Sequence, residues 1–348
     1  MDINIRYSMI EFIFTVDYEI YGNGEGSLRE LVYEPMEKLR SVFAKWDVPL
    51  VAFIEAAELE MIERHNADIA INDVRRQIRN LFSDGHEIGL HLHPQWCNGQ
   101  YINKKWDLDY SEYNLCILPR ERISEIVGRS IKYLRDVLGS PDFTPLSFRA
   151  GNWLFQPTEV ISDVLKKKGI KIDSSVFKGG LQRKHNLDYR DTLGNGFYWQ
   201  FSRDVTEPDA DGAMLEIPIY TEMVPFWKMA KAKRIGLQRK NLSAATTGRF
   251  DHFLDYLRPM YPLKLDFCRM AKDEFMSMIE RVIEYGSHSG AYMPVVIIGH
   301  TKDLIDTDSV DAFLRYIMDR DIPIGTFKTA FPICSTFMTK ANSAQMTA

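Results

Sequence analysis

The sequence has no paired cysteines, no long apolar run and no basic excess, and each absence removes a class of function. Its four cysteines, Cys97, Cys116, Cys268 and Cys334, are scattered without C-x-x-C spacing. That argues against a zinc ribbon or a dithiol redox centre and fits reduced thiols in a cytosol. No apolar stretch approaches the roughly 20 residues a bilayer span needs. The opening strand-like segment reaches Asp17 and Glu19 too soon to serve as a signal-peptide core. The expectation is a cytoplasmic chain with no integral membrane segment. A net charge of -5 gives no electrostatic footprint for nucleic acid. One local exception is the run KMAKAKRIGLQRK, Lys228 to Lys240. It reads first as a solvated helix face and leaves a peripheral contact with anionic lipid or phosphate open.

What the chain does contain is ordinary globular composition, 45% hydrophobic and 26% charged over 348 residues, enough for a sizeable core. Short apolar runs alternate with helically spaced ones. MIEFIFTVDYE, VPLVAFIEA, the segment ending in GLHLHP, PLSFRAG, IKIDSS, AMLEIPIY, PVVIIGH and IPIGTF read as strands. Between them, Val32, Met36, Leu39 and Phe43 recur at three- and four-residue steps, as do Val74, Ile78 and Leu81, and Ile123, Val127, Ile131 and Leu134. Gly85, Gly139 and Gly169 mark helix stops. Strand–helix alternation in one run implies parallel βαβ units, and about seven such units fit an α/β barrel better than an open sheet. The expected organisation is one barrel domain over residues 10–330, an inserted helical segment at about 225–265, and a polar, disordered tail at 331–348.

In a parallel barrel the active site lies at the C-terminal ends of the strands, so polar residues ending apolar strands are the candidates. Asp17 and Glu19 end the first strand, His91 and His93 the third, Arg149 and Asn152 the SFRAGNW strand, Asp173 the IKIDSS strand and His300 the VVIIGH strand. Period-two alternation points Asp17 and Glu19 the same way, and likewise His91 and His93. Two carboxylates and two imidazoles converging suit a borderline divalent ion with a position left for water. Trp96 and Trp153 offer apolar faces to a sugar ring and read equally well as core; with Asn152 they are the substrate-contact candidates. Glu216 nearly ends its strand, and His86, between Gly85 and Gly89, reads as structural.

TVDYE, GHEIGLHLHP, FRAGNW, KIDSS and VVIIGH, in this order, resemble the successive motifs of the polysaccharide deacetylases, the NodB-homology group allied to carbohydrate esterase family four. The resemblance spans about Phe12 to Phe327 apart from the insertion. It implies a distorted, TIM-like (β/α)7 barrel, a divalent metal such as zinc, and hydrolysis of an acetyl group from a sugar or glycan. Residue by residue, it makes Asp17 the catalytic base, Glu19 and His91 metal ligands, Arg149 the residue orienting the base, and His300 the general acid, with Asp173 tuning that histidine. The family's second histidine ligand falls at Gln95, so His93 is expected to take over ligation. Two rival readings remain: a cyclic-amide hydrolase on the same barrel, which the glutamine favours, and a catalytically silent carbohydrate-binding barrel. The sugar, the choice between N- and O-deacetylation, and the oligomeric state are left open.

Overall fold

The nine residues Ile10–Tyr18 are buried along their whole length, and they form the central strand, β1. The computed structural model describes residues 9–194, 196–229 and 258–346. The other strands of the main sheet are β2 (Val51–Glu55), β3 (Glu87–Leu92), β4 (Ser147–Ala150), β5 (Ile172–Asp173), β6 (Trp199–Phe201) and β7 (Met214–Glu216), followed after a separate hairpin by β10 (Met293–His300) and β11 (Ile324–Gly325). The sheet runs β6-β7-β5-β4-β3-β2-β1-β10, with β11 also on β1. Every pairing is parallel except β6 on β7. Beyond β7, Ile219 bridges both Phe177 and Val296, and Asp266 bridges Ile298. The far edge is thereby drawn back to β10, and the sheet curls into a half-barrel less regular than seven equal βα units.

The helices cover the outside: α1 (Glu34–Lys45), α2 (Ala56–Arg64), α3 (Ile71–Ser83), α4 (Arg120–Leu138), α5 (Glu159–Lys167), α6 (Lys272–Ser289) and α7 (Thr307–Met318). Their apolar faces bury as the spacing predicts: Met36, Leu39 and Phe43 on α1, Val74, Ile78 and Leu81 on α3, Ile123, Val127, Ile131 and Leu134 on α4. Each such side chain contributes roughly 1.5–3 kcal/mol when fully buried. Helix α4 stops at Gly139, whose φ of 65° is left-handed, a conformation glycine adopts at little cost. Helix α2 follows β2 without a linker because Glu55 accepts from the backbone N–H groups of Ala57 and Glu58 and so caps it. Among the described residues no helix is long and apolar enough to cross a membrane. All four cysteines are free and buried.

Two regions differ from expectation. The insertion begins and ends as strands rather than helices: β8 (Thr221–Pro225) pairs antiparallel with β9 (Met260–Lys264), and only the short turn of helix Phe226–Met229 follows β8. This hairpin leans on the chain after β5, where a Cβ on Gly179 would lie 2.4 Å from the Met223 sulfur. The rest of the insertion, with most of the cationic run, lies outside the described residues. The tail is helical, α8 (Phe327–Met346), because Phe327, Ala330 and Cys334 bury one face against the sheet side of the molecule.

Candidate active site

Strand register sets the site before any side chain is considered. Asp17 on β1 sits beside His300 on β10, Glu55 beside His91, His91 beside Arg149, and Asp173 beside Glu216. The C-terminal end of the sheet thus carries a nearly continuous polar arc, and its members are buried: Asp17, Glu19, His91, His93 and His300 are all at most 8% exposed.

One part of the arc is made of charged groups that pair with one another, with His300 Nδ1 left without a hydrogen bond among the described residues. The Arg149 guanidinium is fully buried; Nη1 donates to Asp17 Oδ1 at 2.7 Å and to Thr15 Oγ1, Nε donates to the Ser174 carbonyl, and the group lies 4.2 Å over the Phe53 ring. Burial alone would raise the Asp17 pKa, but Arg149, His91 and His300 outweigh it and hold the carboxylate below its ordinary range. The other oxygen, Asp17 Oδ2, is 3.3 Å from His300 Nε2. Burial lowers the His300 pKa to about 4 against the opposing pull of Asp17 and Asp303, so the imidazole is neutral at neutral pH.

The other part is unsatisfied. His91 Nε2 and His93 Nε2 lie 3.5 and 3.0 Å from Glu19 Oε2, yet none of the three atoms makes a well-formed hydrogen bond. They lie within 4.8 Å of one another. Two imidazole nitrogens and a carboxylate oxygen, buried and without well-formed hydrogen bonds among the described residues, form an N,N,O set that would fit a divalent cation once both Nε2 atoms are free of protons. The far edges of these groups are held. His91 Nδ1 is 2.8 Å from the Arg149 carbonyl, which suits an N–H at Nδ1 and a free lone pair at Nε2. Glu19 Oε1 accepts from Lys302 Nζ at 2.8 Å, and that ammonium together with the histidines keeps the Glu19 pKa well below its ordinary value despite burial. Glu55 Oε2 accepts the backbone N–H of His93, so the residue that caps α2 also pins the ligand loop. Burial raises the Glu55 pKa to about 8.

His93 is the residue brought to the cluster in place of the missing histidine. Gln95 does not replace it: its amide lies 3.3 Å from His93 Nδ1, on the ring edge opposite the cluster, and Asn152 Nδ2 reaches the same atom at 3.3 Å. Asn152 therefore braces a histidine. Its φ of 54°, followed by 60° at Trp153, folds the chain sharply there, and Gly151 is needed because a Cβ would lie 2.6 Å from the Leu92 carbonyl oxygen and 2.7 Å from the His93 ring.

Three further expectations change. Trp96 is fully buried against Trp106, so no face is left for a sugar. Trp153 is half-buried at the mouth, edge-on to His300 at 6.2 Å, but one face is covered by the Lys264 ammonium at 3.4 Å. Asp173 does not serve His300; its carboxyl takes hydrogen bonds from Ser175 and faces Glu216, while the acid nearest His300 Nδ1 is Asp303 at 3.7 Å. His86 is structural, accepting from the Leu50 N–H. Glu55, Lys302 and Asp303 were missed by sequence reasoning; the signal for the latter two was the continuation GHTKD just past His300.

No protein-family model matches the chain, and no curated protein does. Solved structures do. One from Mycobacterium smegmatis, provisionally named a polysaccharide deacetylase, superposes with a TM-score of 0.52 over 95% of this chain and 92% of that one at 14% identity. PuuE allantoinase gives 0.49 over 92% and 87% at 14% identity. A protein from Pseudomonas aeruginosa PAO1, also provisionally named a polysaccharide deacetylase, gives 0.48 over 91% and 87% at 14% identity. Resemblance at this identity is one of architecture, and with the M. smegmatis superposition covering nearly the whole of both chains, this chain has the polysaccharide-deacetylase fold.

Proposed function

We propose that the chain is a metal-dependent hydrolase that removes an N-acetyl group from an acetamido sugar in surface polysaccharide or glycoconjugate biosynthesis, acting in the cytoplasm. The observation that carries this reading is the convergence of the unsatisfied atoms Glu19 Oε2, His91 Nε2 and His93 Nε2 beside an ionised Asp17. Those residues would hold a zinc-class ion, which when bound supplies Lewis acidity toward an amide carbonyl and its attacking water. The protein's own groups handle the protons. Arg149 fixes Asp17 by Oδ1 and leaves Oδ2 turned toward His300. Asp17 takes a proton from water as the new C–O bond forms. Neutral His300, 3.3 Å away, can accept that proton and deliver it to the amine nitrogen as the C–N bond breaks, giving acetate and a free amino sugar.

Replacing Asp17 by Asn should lower acetate release by at least about 10²–10⁴-fold while the zinc content of the purified protein stays unchanged; an active Asp17→Asn protein would remove Asp17 from the mechanism. A second reading, hydrolysis of a cyclic amide without a tightly held metal, is favoured by Lys302, which already neutralises Glu19, and by Gln95 in place of a ligand. Turnover of cyclic amides that survives chelation, with no acetate release from acetylated sugars, would favour it. A silent carbohydrate-binding barrel predicts neither activity.

A further inference from the structure

We infer that Lys264 is an anion-binding residue at the mouth of the site, and that the acetamido substrate carries a phosphate or carboxylate which this ammonium contacts. The inference deepens the deacetylase reading by naming a chemical class of substrate.

Lys264 ends β9, where the hairpin of the insertion rejoins the half-barrel: Leu265 donates its N–H to the Tyr220 carbonyl and Asp266 bridges Ile298 of β10. Its backbone is therefore fixed to the strand that carries His300. Its ammonium sits in a corner made by two aromatic rings, 3.4 Å from the Trp153 centroid and 3.9 Å from the Phe177 centroid. The rings meet edge to face at 5.5 Å. Trp153 is also the ring that touches His300, so the cation and the catalytic imidazole share one indole.

Among the described residues this ammonium has no carboxylate of its own. Among the described residues, its recorded close contacts are the two rings, and it forms no ion pair or hydrogen bond. The neighbouring acids are committed: Asp17 is paired with Arg149, and Asp266 accepts from the backbone N–H groups of Cys268 and Arg269. The nearby guanidinium of Arg269 is held by Asp303. A half-buried lysine lacking an ion pair, with two arginines close by, is electrostatically strained. Burial first, and Arg269 next, lower its pKa to about 7. Aromatic faces soften that cost and hold the side chain in place without consuming its N–H donors. A substrate anion is the complement this corner lacks.

Two sources of the anion, a phosphate ester and a sugar carboxylate, share this chemistry and are separated by the ligands chosen. Calorimetry on the full chain would compare N-acetylglucosamine, N-acetylglucosamine 1-phosphate, the N-acetylglucosamine uronic acid and inorganic phosphate, for the unaltered protein, Lys264→Met and Lys264→Arg. The expected result is at least tenfold tighter binding of one anionic sugar than of the neutral sugar, lost in Lys264→Met and retained in Lys264→Arg. Whichever anionic sugar binds tighter names the source. Equal affinity for charged and neutral sugars, or a preference that survives Lys264→Met, overturns the inference. Lys264→Arg controls for misfolding, since it keeps the charge and the stem. The deacetylase reading fails separately. Lys264-dependent phosphate binding without acetate release would retire that reading and keep the anion site, whereas acetate release with no charge preference would do the reverse.

Discussion

The two halves of the polar arc are equally buried and made of the same kinds of residue, yet one is complete but for His300 Nδ1, which has no hydrogen-bond partner among the described residues, and the other is not. Around Asp17 every charge has a partner: Arg149 faces Asp17, Thr15 and Ser174, and His300 faces Asp17. Around Glu19 the outer edges are braced by Lys302, Glu55, Gln95 and the Arg149 carbonyl, while the inner atoms meet one another with nothing between them. Buried polar atoms are normally paired. Three orphans aimed at a single point are best explained by a ligand that the chain does not itself encode, and bracing on their far side is what holding such a ligand requires. The first half should therefore fail by losing the fold, the second by losing the metal.

Arg149→Met tests this most severely. The change strands a buried carboxylate together with Thr15 and Ser174, and breaking a buried ion pair on one side costs about 3–5 kcal/mol. Urea denaturation should show a loss of that size in metal-free and metal-loaded protein alike. A loss below about 1 kcal/mol would mean that Asp17 is held by something other than Arg149 and that the completeness of this half is only apparent.

Gln95→Ala probes the other half and should be milder. Its amide touches His93 only at Nδ1, so the ligand set stays while its orientation loosens. Loss of such a partner lowers metal affinity about 10–100-fold, measurable by competition with a chromogenic chelator, with little change in the unfolding of the metal-free protein. Unchanged affinity would mean that Asn152 alone orients His93, or that His93 is no ligand.

Why one half was more legible than the other in the sequence follows from how each is built. Asp17, His91, Arg149 and His300 end strands, so alternation and register bring them together from pattern alone. The bracing groups are marked less plainly. Lys302 lies in the turn after β10; Glu55 ends β2 and so falls under the strand-end rule, but it was passed over, and its second job as the cap of α2 is not visible in the alternation. Trp96 misled because an aromatic next to a ligand reads equally as platform or as core, and only packing against Trp106 decides. The parallel half-barrel was visible in the alternation of apolar runs; the hairpin β8–β9 was not, because Pro225, Pro259 and Pro262 obscure a strand pattern there.

A pH-dependent effect concerns Lys264, which sits over Trp153 beside His300. Its pKa falls from 10.5 to about 7 in the folded chain because of burial and Arg269, with Arg149 acting the same way and Asp266 and Asp17 opposing. A lysine whose folded value lies below its unfolded one binds fewer protons folded than unfolded. It therefore penalises the native state fully below pH 7 and progressively less as pH rises toward the unfolded value near 10.4. Lys264→Met removes the penalty and keeps the apolar stem against Trp153 and Phe177. Thermal melts of the metal-free protein should show the variant more stable than the unaltered chain at pH 6, with the gap narrowing through pH 8 to 10. A gap independent of pH would mean that the ammonium is solvated like a surface lysine, leaving the corner between the two rings without electrostatic need for an anion.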